Sequence, residues 1–120
     1  MQHPRKLAKL FRALSVESRV KIVQLLKTRS FCVSALAARL DMTPAAVSQH
    51  LRIMRDADLV VDQKQGYYVH YHLNEKTLAA WRGDVDRLLA PSPGTGKCRK
   101  GVSQCLTAAR NSKAVRKAKI

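Results

Sequence analysis

Acidic side chains are scarce in this chain: 8 Asp and Glu stand against 23 Lys and Arg, a formal net charge of +15 over 120 residues. A balance so one-sided points to a polyanionic partner, with nucleic acid ahead of an anionic membrane surface. Cysteine is also sparse. Three thiols make no even disulfide framework, so they read as reduced groups available for metal or redox chemistry. No apolar run approaches the ~20 residues that a membrane span needs, and the N-terminus has no signal-peptide core; the expectation is a soluble, cytoplasmic protein without a membrane partner. Enzyme signatures are missing as well. There is no Gly-rich phosphate loop, no paired-carboxylate pocket and no Ser-His-Asp order on suitable elements, and a chain of this size is expected to offer no large cavity. No enzyme activity and no small-molecule substrate are therefore expected, and no internal repeat is visible.

What the chain does have is helical periodicity broken once by a strand pattern. Leu7, Leu10, Phe11 and Leu14 recur at helical spacing over 5–14. Ser15 then reads as an N-cap for a buried helix whose stripe is Val16, Val20, Val23 and Leu26, widened by Ile22 and Leu25. From Ser34 to Asp56 two short helices follow, with Leu36, Ala37 and Leu40 lining the first and Val47, Leu51 and Met54 the second. Thr43 is a ready cap acceptor between them, and Pro44 suits a first helical position, where no N–H is needed. Over 59–73 the period drops to two: Val69, Tyr71 and Leu73 alternate with His70 and His72, and Gln65-Gly66 supplies the turn of a two-stranded hairpin. Helical spacing returns over 75–89 with Leu78, Trp81, Val85, Leu88 and Leu89. Ala90 to Gly96 reads as a linker. The division is thus residues 1–90, a folded domain of net charge +7, and 91–120, a basic flexible tail of net charge +8 that carries two cysteines. At most one marginal helix is expected in the tail, near 102–110.

The second helix of the 34–56 unit presents a polar face opposite its apolar stripe. Thr43 and Ala45 keep its start narrow, and Ser48, Gln49 and Arg52 follow. Such a helix can enter a DNA major groove, where Gln suits a bidentate contact to adenine and Ser pairs with either strand. Arg52 and Arg55 fit phosphates, which position a protein without reading sequence. The bland alternative is a solvated helix face, which the basic charge and the hairpin disfavour. Lys64 and Gly66 at the hairpin tip fit a weak backbone contact, against an exposed turn that needs Gly for geometry alone. His70 and His72 share a strand face and, with no further ligand evident nearby, read as solvated or lightly packed. The ends of the domain are more apolar than a small core requires. Leu7, Leu10 and Phe11 with Leu78, Trp81 and Leu88 therefore read as a two-fold interface, which would set two reading helices about one DNA turn apart; the alternative is that they only close the core.

Helix, helix, helix-turn-helix, hairpin, helix is the order of a winged helix: a mainly α fold with a small β-hairpin. Leu14-Ser15-Val16-Glu17-Ser18-Arg19, Leu36-Ala37, Val47-Ser48-Gln49-His50-Leu51, Asp58-Leu59-Val60 and Gly66…Val69-His70-Tyr71-His72-Leu73 resemble the ArsR/SmtB family of bacterial metal-sensing repressors over about residues 5–89. The resemblance implies a homodimer that binds operator DNA when ligand-free and leaves it when an inducer binds. It places His50 near the DNA backbone, although a histidine beside Leu51 is equally a packing residue.

Arsenic-sensing relatives carry Cys-Val-Cys where this chain has Cys32-Val33-Ser34, so the second thiol of that site is missing. Cys98 and Cys105 are candidates to complete a three-thiolate site with Cys32 for As(III) or Sb(III), soft ions that favour thiolates; Zn would want a fourth ligand. The alternatives are a structural Cys32 with two incidental tail thiols, or a redox pair Cys98–Cys105 whose thiol pKa is lowered by Lys97, Arg99 and Lys100. Relatives that bind metal on the last helix use acidic and histidine ligands. Residues 75–89 have no His, only Asp84 and Asp86, and such a site is not expected here. The functional expectation is a sequence-specific repressor released by an inducer. A non-metal or thiol-redox-responsive winged-helix regulator and a general basic nucleic-acid-binding protein stand as alternatives.

Overall fold

The computed structural model describes residues 4–92. Helices α1 (Pro4–Leu14) and α2 (Glu17–Leu26) lead into a short strand β1 (Phe31–Cys32). Helices α3 (Val33–Leu40) and α4 (Pro44–Asp56) come next, then strands β2 (Val60–Gln65) and β3 (Tyr68–Leu73), and helix α5 (Glu75–Leu89). Helix-turn-helix plus hairpin is the expected winged helix. Every element but α5 adds a buried apolar side chain to one core. Its largest members with no exposed surface are Ile22, Leu36, Leu51, Met54 and Leu59. Leu78 and Trp81 of α5 pack against it partly buried.

Both helices of the helix-turn-helix stop in the same way. Asp41 after α3 and Asp58 after α4 are the non-glycine residues with positive φ among those described, at 54° and 62°. A short polar side chain tolerates that left-handed conformation better than a branched one. It lets the Met42 N–H reach the Ala37 carbonyl at 3.0 Å, and the Leu59 N–H the Met54 carbonyl at 2.9 Å. Each bond satisfies a carbonyl that a helix end leaves open. At the other end of α4, Thr43 is extended and its hydroxyl oxygen accepts from the Ala46 N–H at 3.1 Å, while Pro44 takes the first turn. This cap is the one read from the sequence.

Three expectations need correcting. Ser15 does not cap α2: its hydroxyl donates to the Arg12 carbonyl at 2.8 Å, closing α1, and Val16 precedes α2 with no side-chain cap. The inner face of α2 is also rotated from the expected stripe. Ile22 and Leu26 are fully buried, whereas Val20, about 200° around the helix from Ile22, is 42% exposed. The sheet, finally, has three strands rather than two. Its order is β1-β3-β2, all antiparallel, with Phe31 opposite Tyr71 and Cys32 opposite His70. A two-residue strand has no periodicity to detect.

The hairpin turns on Gly66 and Tyr67, between the closing pair Gln65 and Tyr68. Gly66 has φ of +64° and Tyr67 does not share the positive sign, the pattern of a type II′ turn, which favours glycine at its first central position. Beyond Val60 the whole of β2 is exposed. That half of the hairpin projects as a wing.

Candidate nucleic-acid interface

Helix α4 separates its two faces sharply. Val47, Leu51 and Met54 have no exposed surface, and Thr43, Ala45, Ser48, Gln49, Arg52 and Arg55 are all exposed. A helix anchored by three buried residues at i, i+4 and i+7 holds its outer face at a fixed roll. Ser48 and Gln49 therefore stand on a rigid support, which direct reading of base edges requires. Lys64 and Gly66 are exposed on the wing. Arg55 is tied to that wing: its Nη1 lies 3.5 Å from Asp62 Oδ2 on β2, with both side chains nearly half exposed. An exposed pair of this kind is worth roughly 0–1 kcal/mol, so exchanging Asp62 for a phosphate costs Arg55 little.

His50 is not on the outer face. It is half-buried, and its Nδ1 accepts a hydrogen bond from Arg19 Nε at 3.1 Å. Burial first, and the charge of Arg19 second, hold the imidazole below its ordinary pKa, which keeps it neutral near pH 7. The sequence reading missed Arg19 because its partner lies 31 residues away; the available signal was a cation next to the inner face of α2. It also missed Arg29 and Arg39, whose guanidinium carbons lie 4.8 and 5.0 Å from the centroid of the Phe31 ring.

The six residues expected at a two-fold interface divide. Leu10 is 3% exposed and packs inside the protomer core, so it has little surface left for a partner. Phe11 and Leu88 are exposed, at 40% and 51%, and Leu7, Leu78 and Trp81 are half-buried. Phe11 and Trp81 meet edge to face with ring centroids 5.4 Å apart, joining α1 to α5. Leu88 and Leu89 do not continue the inner face of α5 as the spacing implied; Asp84 does. It is 5% exposed and paired through Oδ1 with Arg87, while its Oδ2 and the Trp81 indole N–H are buried without partners.

Of the three thiols, Cys98 and Cys105 lie outside the described residues, as does the marginal helix near 102–110. Cys32 is free, half-buried, and at the junction of β1 and α3. Across the strand pair stands His70, whose Nδ1 is buried without a partner, so the face of His70 and His72 has a neighbouring thiol that spacing did not reveal. Among the described residues no group of three or more His, Cys, Asp or Glu side chains gathers as a metal site. Cys32 alone does not fit a three-thiolate ion. The expectation of no large cavity is corrected too. A groove of about 660 Å³ runs between the start of α1 and the end of α4, lined by Arg5, Lys6, Lys9, Leu10, Asp56 and Asp58 among others.

Comparison with known proteins agrees with this geometry. The model of the bacterial regulatory protein arsR family matches residues 17–61, from the start of α2 into β2. The arsenical resistance operon repressor of Escherichia coli is 38% identical over 77 residues, covering 63% of this chain and 65% of that protein. The chain thus spans just under two thirds of that relative's length. An HTH-type transcriptional regulator of Mycobacterium tuberculosis is 39% identical over 77 residues, covering 64% of this chain and 72% of its own. Among solved structures, an ArsR-like transcriptional regulator from a Rhodococcus species superposes with a TM-score of 0.65 at 30% identity, over 70% of this chain and 79% of that one. With the same helix-turn-helix and wing and this much shared sequence, the chain belongs to the arsR family of bacterial regulatory proteins.

Proposed function

We propose that the chain is a sequence-specific DNA-binding transcriptional repressor rather than an enzyme, acting in the cytoplasm as a homodimer on double-stranded DNA. The observation that carries this reading is the exposed Ser48, Gln49 and Arg52 face of α4, backed by fully buried Val47, Leu51 and Met54. Exposed Phe11 and Leu88 with half-buried Leu7 and Trp81 support a two-fold contact through α1 and α5. Selection from a pool of randomised duplexes tests the reading. A short inverted repeat should emerge, bound orders of magnitude more tightly than scrambled duplex. Salt-sensitive affinity with no sequence preference would instead favour a general basic nucleic-acid binder.

The same assay checks the tail. We take residues 91–120 as a segment separate from the winged helix; they hold 8 Lys and Arg and no acid. If each neutralises one phosphate, removing them makes the slope of log affinity against log salt shallower by up to about 7 for each protomer. Preference for the selected repeat should survive, because α4 is untouched. An unchanged slope would show that the tail does not meet DNA.

The inducer we propose is a thiophilic ion, in line with the arsenical resistance operon that the Escherichia coli relative represses. The described residues contribute one soft donor, Cys32; As(III) or Sb(III) would require Cys98 and Cys105 beside it, and Zn a fourth ligand. Cys32 directly precedes α3, so a pull on it reaches the helix that supports α4. Arsenite should release the selected duplex from the wild-type protein and fail to do so in Cys32→Ser, Cys98→Ser and Cys105→Ser variants. Release that persists in Cys32→Ser would exclude the thiol route and favour an inducer of another kind.

A further inference from the structure

Arg19 spans three helices. From α2 its Nε donates to His50 Nδ1 on α4 at 3.1 Å, and its Nη1 donates to the Ala13 and Arg12 carbonyls at the end of α1, at 3.4 and 3.5 Å. We infer that Arg19 is a positioning residue for DNA recognition, one that couples α4, whose roll the buried stripe sets, to the end of α1 through His50; the inference rests on the DNA-binding reading above. Arginine always donates and never accepts. The imidazole nitrogen facing it must therefore be the unprotonated one, and Nε2 carries the ring proton. His50 follows Gln49 by one residue, about 100° around the helix, so fixing the direction of the imidazole fixes the direction of Gln49. The carbonyls of Arg12 and Ala13 belong to the last turn of α1; the first already accepts from Ser15, and the helix dipole there attracts a cation. That turn follows the exposed Phe11. A displacement of α1 at a subunit contact would thus reach the reading face through one side chain.

The test uses the full chain, labelled with ¹⁵N-histidine, and a duplex selected by the wild-type protein alongside a scrambled duplex of equal composition. Long-range ¹H–¹⁵N spectra should show the Nε2–H tautomer for His50, assigned by its absence in His50→Asn. Arg19→Met and His50→Leu should each lose about tenfold in preference for the selected duplex, the worth of one charge-assisted hydrogen bond. The double variant should lose no more than either single one, because the two changes break the same contact. His50→Asn keeps an acceptor near the Nδ1 position and should restore most of the preference. A protonated Nδ1, additive losses, or undiminished preference in Arg19→Met would each overturn the positioning role while leaving DNA reading intact. A wild-type protein that selects no sequence would overturn the DNA reading, and the role with it, even if the tautomer is as expected.

Discussion

Replacing Leu51 by alanine is expected to lower the stability of the winged-helix domain by about 2–5 kcal/mol, the usual cost of emptying a fully buried leucine site. Leu51 has no exposed surface and lies between Val47 and Met54 on the inner stripe of α4. The core around it holds Leu36 and Ala37 of α3, the other half of the helix-turn-helix. A domain of this size has roughly 5–15 kcal/mol in total, so the variant should unfold at markedly lower urea concentration, with the denaturant slope unchanged. DNA affinity should fall by at least the unfolded fraction, because emptying the site also loosens the support on which the outer face of α4 stands. A loss below about 1 kcal/mol would mean that this stripe is not what holds α4, and the fixed roll assigned to the helix would go with it.

The same stripe shows why so much of the fold is legible in the sequence. Val47, Leu51 and Met54, set off by Thr43 and Pro44, define both the inner face of α4 and, by subtraction, the face of Ser48, Gln49 and Arg52. The structure reproduces that division residue by residue. Periodicity fails where an element is too short or its face is set by contacts distant in sequence. β1 has two residues and exists only because Phe31 and Cys32 find Tyr71 and His70. In α2 several apolar positions compete, and packing selects Ile22 and Leu26 over Val20. Ser15 is equally able to serve the helix before it or after it, and α1 takes it. Asp84 goes inside a helix face that hydrophobicity alone would give to Leu88. The site divides along the same line. Exposed candidates on α4 follow from local pattern, whereas the Arg19–His50 and Arg55–Asp62 contacts depend on tertiary approach and leave no local trace.

Gln49→Ala and Arg52→Ala are expected to weaken DNA binding in different ways, and the contrast between them identifies the reading face. Both side chains are exposed on α4, and neither makes a hydrogen bond or ion pair among the described residues, so stability should move by less than about 0.5 kcal/mol. A glutamine amide can donate to and accept from one adenine edge at once, a match no other base reproduces in the major groove. Losing it should cost about 1–3 kcal/mol on the selected repeat, almost nothing on scrambled duplex, and should relax selectivity at one base position in each half-site. A guanidinium on a phosphate meets the same group at every sequence. Arg52→Ala should therefore weaken both duplexes alike and reduce the salt slope by about 1 for each phosphate left unneutralised. Measuring the two affinities of each variant over a range of salt separates the roles. If Gln49→Ala weakens both duplexes equally, Gln49 meets the backbone and α4 does not read bases there. If Arg52→Ala instead changes which repeat is preferred, the reading face lies further along α4 than Ser48 and Gln49.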